Sequence, residues 1–388
     1  MSLSTLAEFL THPRLEYEAL THAVGLIDLP EVGVLRLRGA DRVRFLNAMV
    51  TNDVAKLGVG VSCDALLTTT KGRVVAEVAV LARADELVVL VLQGSTKSVF
   101  DALDSHIIAD DVQLTDMTAE MTVLALEGPK SRDVIWRIFP REPLPLEEHK
   151  FTENEYQGLR AIVLRRSVAG EKGFLVMSSR GDGERLREYL IQGGIGMDLR
   201  VVGRVAWNIR RVEAGLPWYG IDVTEDNFPK EARLDNRINY EKGCYLGQEP
   251  IARMHYRGHP NWLLVGLTTD SLGYPVHLDD IKSLLATEHE HNAQAARDAV
   301  SVLLLDKAVG VEFFASEADT GAEPGKAAGR VTSAVQSPRL RRPLFLGYVR
   351  AKMADAGTKF RASIGGNDVT LTVIDLPLPG PIKGDKHA

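Results

Sequence analysis

The chain has 388 residues, 45% of them hydrophobic and 25% charged, with a formal net charge of −6. These values fit a soluble globular protein of two or three domains. They exclude disordered, fibrous and general nucleic-acid-binding classes, leaving only a local basic patch open.

At the N-terminus, Met1–Leu10 carries Glu8 and no basic stretch before an apolar run, so no signal peptide is expected. The longest apolar runs, such as Leu87–Leu92, are strand-sized and far short of the ~20 residues a membrane span requires. Cys63 and Cys244 are the only cysteines, which rules out a disulfide framework and predicts a cytoplasmic location with no membrane partner.

One pattern then occurs twice. Val34–Gly39 alternates apolar and charged residues as a half-buried strand does, and Asp41 caps a helical run through Leu57. Val123–Gly128 repeats the strand at an offset of 123 − 34 = 89 residues, and a second helical run follows through Ile138. Leu87–Gln93, Thr96–Ile107 and Asp111–Leu114 then read as strand, helix and strand. Gly173–Met177, Gly183–Ile191 and Leu199–Val202 read the same way. Each copy is expected to be a β-α-β-β-α-β unit, so the fold class is α+β with an internal duplication. Beyond Pro260, short valine-rich runs at Leu263–Thr268, Ser301–Val311, Gly329–Val335, Leu344–Val349, Thr358–Ser363 and Val369–Ile374 predict an all-β barrel or sandwich. Ala315–Ala328 reads as a hairpin tip and Leu376–Ala388 as a frayed tail. The expected segments are 1–117, 118–262 and 263–388.

Several common motifs are missing. Gly58-Val59-Gly60 lacks the third glycine of a dinucleotide loop, and Gly321–Lys326 is one residue short of a phosphate loop. His289-Glu290-His291 lacks the one-turn spacing of a zinc protease and reads as a solvated loop; no metal site is expected.

The informative stretch is Arg204–Trp262. A helix over Val205–Ala214 ends at Gly215 and Pro217, and it carries Glu213 in its last turn, where the helix dipole disfavours a carboxylate. Glu213 reads either as a surface acid paired with Arg210 or Arg211, or as an acceptor for a ligand with adjacent N–H donors. In Lys242-Gly243-Cys244-Tyr245-Leu246-Gly247-Gln248-Glu249-Pro250, a thiol lies just ahead of a helix and two residues from a lysine. Such a setting favours a thiolate, although a small buried cysteine is the plainer reading. Cys63, in a strand, reads as structural. Arg253, His255, Tyr256, Arg257 and His259 form either a solvated basic edge or a site for a polyglutamate tail, a phosphate or RNA.

At these residues the sequence resembles the YgfZ-type folate-binding proteins of the glycine cleavage T-protein superfamily. Lys242-Gly243-Cys244-Tyr245-x-Gly247-Gln248-Glu249 is similar to their signature. Arg211-x-Glu213-x-Gly215-x-Pro217 and Phe228-Pro229-x-Glu231 are similar to segments they share with the T-protein, as are Ala23–Asp28, Thr51–Leu57 and Gly329–Ser333. The resemblance implies a duplicated α/β folate-binding, aminomethyltransferase-like body with a C-terminal β-barrel, holding tetrahydrofolate or a one-carbon derivative. It implies Glu213 as the carboxylate that meets the pterin, with Arg211, Tyr245, Gln248, Arg253 and Arg257 as further folate contacts. Cys244, assisted by Lys242, would carry thiol chemistry in iron–sulfur protein assembly or repair. Aminomethyltransferases carry paired aspartates in a Gly-Gly-x-x-Asp-Asp segment. The matching stretch is Gly72-Arg73-Val74-Val75-Ala76-Glu77, which speaks against aminomethyl transfer unless Glu77 takes the acid–base role.

Overall fold

The structure, a computed structural model, describes residues 3–140, 147–170, 172–269, 307–315 and 326–378, with side chains from residue 13 onward. Contacts divide the chain into two units: residues 18–202 with 218–260, and residues 1–17 with 203–217 and 261–388.

In chain order the elements begin with α1 (Leu3–His22), β1 (Val24–Asp28), β2 (Gly33–Arg38), α2 (Arg42–Met49), β3 (Val61–Thr68), β4 (Val74–Ala82), β5 (Leu87–Gln93), α3 (Thr96–Asp104) and β6 (Gln113–Asp116). The second half of the body continues with β7 (Met121–Glu127), α4 (Ser131–Ile138), β8 (Phe151–Tyr156), β9 (Leu159–Leu164), β10 (Gly173–Ser179), α5 (Gly183–Gly193) and β11 (Leu199–Val201).

The duplication expected from the sequence is visible in the topology. One sheet has the order β3-β4-β5-β2-β6, and the other β11-β1-β7-β10-β9-β8. Read in the same direction, the second sheet repeats the first with β1 inserted between β7 and β11. Helices α2 and α4 coincide residue for residue at the 89-residue offset. Gly39 and Gly128, which end the paired strands, both take a positive φ that an L side chain adopts only with strain. The copies even exchange a packing solution. A Cβ on Gly33 would overlap the Thr96 side chain, and in the second copy one on Gly183 would overlap Thr122, so glycine and threonine have swapped elements. Each copy carries one strand more than expected: three strands, not two, separate its helices.

Alternating residues of the first sheet (Leu35 and Leu37, Val78 and Val80, Val89 and Val91) bury one face against Phe45, Leu46 and Met49 of α2 and Val99 and Leu103 of α3. Each such side chain contributes about 1.5–3 kcal/mol when fully buried. The second sheet does the same with Leu124, Leu126, Val163 and Val176 against Val134, Ile135 and Ile138 of α4 and Leu186 and Leu190 of α5. The two sheets meet at their β3 and β8 edges, where Val61 pairs with Lys150 and Phe151 donates its N–H to the Gly60 carbonyl.

The remaining elements are α6 (Arg204–Glu213), α7 (Gln248–Tyr256), β12 (Trp262–Thr269), β13 (Glu312–Ala315), β14 (Gly329–Ser337), β15 (Arg342–Arg350), β16 (Lys359–Ile364) and β17 (Asn367–Ile374). Strands β12-β15-β14-β13-β16-β17 close into a barrel, which removes exposed sheet edges. Val265, Leu267, Phe345, Phe360, Leu371 and Val373 fill its interior at period two. Helix α6 lays Val212 and Ile209 on the outer face made by Leu264, Val335, Leu344 and Leu346.

Of the expected run Ser301–Val311, residues 301–306 lie outside the described residues and 307–311 form no strand; a strand follows at Glu312–Ala315. The same is true of 316–325 in the expected hairpin tip, of His289–His291, and of 379–388. The start of the expected tail is packed: Leu378 is buried, and its N–H donates to the Glu213 carbonyl at 2.9 Å.

Candidate functional site

Three motif segments converge in the α/β unit on the tight turn between β3 and β4. Gly72 in that turn and Gly247 in the cysteine loop face each other, both with positive φ. A Cβ on Gly247 would overlap the Thr69 carbonyl, and one on Gly72 would crowd Pro250 and Ile251, so both positions require glycine. Thr68 Oγ1 donates to the Leu246 carbonyl at 2.8 Å, and the Leu246 N–H donates to Ala48 at 2.9 Å. From the other side, the Arg73 guanidinium lies 3.7 Å from the Phe228 ring centroid. Its Nη1 is 3.7 Å from Glu231, whose other contact is the Phe228 N–H at 3.0 Å. The Lys-Gly-Arg turn, the Phe-Pro-x-Glu segment and the cysteine octapeptide thus make one surface.

Cys244 is exposed on it, whereas Cys63 is buried and its thiol is pushed up to about 12 by that burial. Only one of the two thiols is therefore available to solvent chemistry. Lys242 is not its activator. The ammonium is buried and donates to the carbonyls of Asn47, Val50 and Asn52 at 2.6, 2.8 and 2.7 Å, which uses all three of its hydrogens. It straps the cysteine loop to the carbonyl end of α2, where a cation is favoured. Burial pushes it down to about 8, with the Asp53 carboxylate pulling the other way.

Tyr245 is a packing residue. It is buried with Leu66, Val74, Ala232 and Ile251, and burial raises its phenol to about 12. Gln248 opens α7 half-buried, Arg253 stands exposed on that helix and Arg257 exposed just past its end, and the rings of Tyr240 and His255 stack with centroids 3.6 Å apart.

Glu213 and Arg211 belong to the barrel-containing unit, and both are committed internally. The Glu213 carboxylate is fully buried. It accepts from Tyr17 Oη at 3.0 and 3.2 Å, from Arg210 Nη1 at 2.7 Å and from Ser337 Oγ at 2.6 Å. Burial, with the Glu213 charge, pushes the Tyr17 phenol up to about 12, so it stays a donor. Arg211 donates to Asn208 Oδ1 at 2.7 Å, the Leu216 carbonyl at 3.1 Å and Ser333 Oγ at 2.8 Å. Both groups are engaged within their own unit, three donor groups reaching the Glu213 carboxylate and three acceptors the Arg211 guanidinium.

A second charged centre escaped the sequence analysis. Arg166, on the loop after β9, donates Nε to Asp64 at 2.8 Å and Nη2 to Glu77 at 2.9 Å. Arg237 donates Nε to the same Glu77 oxygen at 3.0 Å and lies 3.5 Å from Asp64. Burial alone would raise the Asp64 carboxyl, but the Arg166 and Arg237 charges overcome it and hold it below the usual range. Nearby, burial pushes Glu127 up to about 7, although Ser167 Oγ and the Val168 N–H, both at 2.7 Å, favour its charged form. None of these pairings has a spacing that sequence could reveal; Arg166 is 102 residues from Asp64 and 89 from Glu77.

The family described as the GCVT N-terminal domain matches residues 9–242, and the glycine cleavage T-protein C-terminal barrel domain matches residues 303–378. The chain belongs to the glycine cleavage T-protein superfamily. Its curated relatives include the aminomethyltransferase of Geobacillus kaustophilus (strain HTA426), 27% identical over 365 residues, 93% of this chain and 89% of that protein. The aminomethyltransferase of Bacillus cereus (strain G9842) is 26% identical over 93% of this chain and 88% of its own. Among solved structures, glycine cleavage system aminomethyltransferase T from Bartonella henselae superposes with a TM-score of 0.76 at 21% identity, covering 94% of this chain and 89% of that one, a likeness of fold.

Where the resemblance to aminomethyltransferases would call for paired aspartates, this chain presents Ala76, fully buried and pressed against Gly94, and Glu77, held between two guanidiniums. Among the described residues there is no helix long and apolar enough to cross a membrane and no cluster of metal-ligating side chains.

Proposed function

We propose that this chain works with a reduced folate, tetrahydrofolate or a one-carbon derivative, as a protein of the aminomethyltransferase type. Family membership of both its body and its barrel supports the folate reading. Two finer readings share it. Folate-dependent aminomethyl transfer is supported by the activity named for the curated relatives. YgfZ-type thiol chemistry at Cys244, in support of iron–sulfur proteins, is supported by the one solvent-accessible thiol standing where three motif segments meet.

The placement of Glu77 carries the choice between them. Glu77 Oε1 accepts from both Arg166 and Arg237, so its carboxylate is oriented on two guanidiniums and not left free to meet a substrate nitrogen. That weighs against aminomethyl transfer through Glu77 and favours Cys244 as the reacting residue.

The deciding experiment measures methylene-tetrahydrofolate formation from an aminomethylated carrier protein, beside reactivation of an iron–sulfur enzyme. The thiol reading predicts no aminomethyl turnover, and reactivation that Cys244→Ala abolishes. Turnover that survives Cys244→Ala but not Glu77→Gln would establish the transferase reading instead.

A further inference from the structure

The loop that carries Cys244 is held on both sides of the thiol, but not in the same way. On the N-terminal side, Lys242 is fixed by the Asn47, Val50 and Asn52 carbonyls. Gly243 lies between that anchor and the thiol. It is exposed, and a Cβ on it would meet nothing within 4 Å. A glycine in open space passes little direction to its neighbour, so the orientation of Cys244 is set from the other side.

There the chain is fixed residue by residue. Tyr245 is buried, and the Leu246 N–H donates to the Ala48 carbonyl at 2.9 Å. The Leu246 carbonyl accepts from Thr68 Oγ1 at 2.8 Å. Gly247 follows with a φ of +79°, and a Cβ on it would stand 2.6 Å from Thr68 Oγ1. The peptide between Leu246 and Gly247 adjoins a glycine and turns readily, so the hydroxyl contact decides where its carbonyl points. Thr68 is buried at the end of β3, where the ladder to β4 steps: Leu67 pairs with Ala76 and Thr68 with Val74, leaving Val75 over. Such bulges end regular pairing and are over-represented beside active sites.

We propose that Thr68 is a positioning residue for Cys244: its hydroxyl, acting through the Leu246 carbonyl, fixes the direction in which the thiol is presented. The inference rests on the thiol reading above. Thr68 donates to the backbone and not to the sulfur, so its loss disturbs placement and leaves the ionisation of the thiol alone.

The test compares wild type with Thr68→Val, which keeps the shape and removes the donor, and with Thr68→Ser, which keeps the donor. Thr68→Ala replaces Thr68→Val if the latter does not fold. Three quantities are read on each folded protein: the rate of iron–sulfur enzyme reactivation, the pH midpoint of Cys244 alkylation by iodoacetamide, and the electron paramagnetic resonance spectrum of a nitroxide on Cys244, the thiol exposed in the native protein. The proposal predicts that Thr68→Val slows reactivation by about 10-fold and adds a mobile component to the spectrum, with the alkylation midpoint unmoved. Thr68→Ser matches wild type in all three. A change in neither rate nor spectrum, or in one without the other, overturns the proposal. A shifted alkylation midpoint overturns it too, since Thr68 would then act on the sulfur itself. Reactivation by Cys244→Ala at the wild-type rate sinks the thiol reading on its own, and the Thr68→Val spectrum alone then decides whether Thr68 places residue 244.

Discussion

Replacing Lys242 by glutamine separates a structural strap from a thiol activator. The substitution removes three hydrogen bonds of 2.6–2.8 Å from a buried ammonium to backbone carbonyls. Hydrogen bonds to a charged group contribute roughly 1.5–3 kcal/mol each, while desolvation of the ammonium and one bond regained by the amide take back part of that. The expected net loss is about 3 kcal/mol. At roughly 2–4 °C per kcal/mol for a body of this size, thermal unfolding should fall by about 6–12 °C. Calorimetric melting gives that number, and iodoacetamide alkylation of Cys244 across pH gives the second readout. An unchanged melting temperature, with the alkylation profile shifted to higher pH, would refute the strap and restore Lys242 as the partner of the thiolate.

The other expectations concern individual groups. Ellman's reagent should titrate one thiol in the native protein and a second only on unfolding; Cys244→Ala should abolish the native signal while changing stability by less than about 0.5 kcal/mol, since it alters an exposed side chain. Glu127 has a folded value of about 7, raised above its unfolded value, so its stabilising contribution is complete below pH ~4.5 and is lost as pH rises through 7. Wild type should therefore lose about 3 kcal/mol relative to Glu127→Gln across that window in denaturant titrations. Glu213→Gln removes the anion that Arg210, 2% exposed, donates to, and should cost about 3 kcal/mol in the stability of the barrel unit. If Glu213→Gln melted like wild type but lost folate binding, the carboxylate would be a ligand group after all.

What the sequence could reveal was what repeats or alternates. The Val34/Val123 repeat marks strands β2 and β7, and the helices that follow them match without a gap. Period-two valines and leucines mark most of the barrel. The extra strand in each copy is harder to see. In β3 and β4 of the first copy, Ser62, Asp64 and Glu77 interrupt the apolar runs, and they are buried because distant arginines and a backbone carbonyl satisfy them. The motif surface was legible because its glycines mark positive-φ turns, whereas Cys244 is exposed where a small buried cysteine was the plainer reading. Side-chain direction was not legible. Lys242 lies two residues from Cys244 in sequence yet points into the α2 carbonyls. Glu213 finds Tyr17 and Ser337 at separations of 196 and 124 residues, contacts that no local pattern encodes. Arg166 and Arg237 stand outside every recognisable motif and became visible only through the carboxylates they hold.

Folate binding is the claim on which the rest stands. Calorimetric titration of the full chain with tetrahydrofolate, beside Cys244→Ala, tests it most directly. The account predicts saturable one-to-one binding in both proteins, because the exposed thiol is reserved for a separate chemical step. A flat titration with folded wild-type protein would contradict it, leaving a T-protein fold that serves something other than folate.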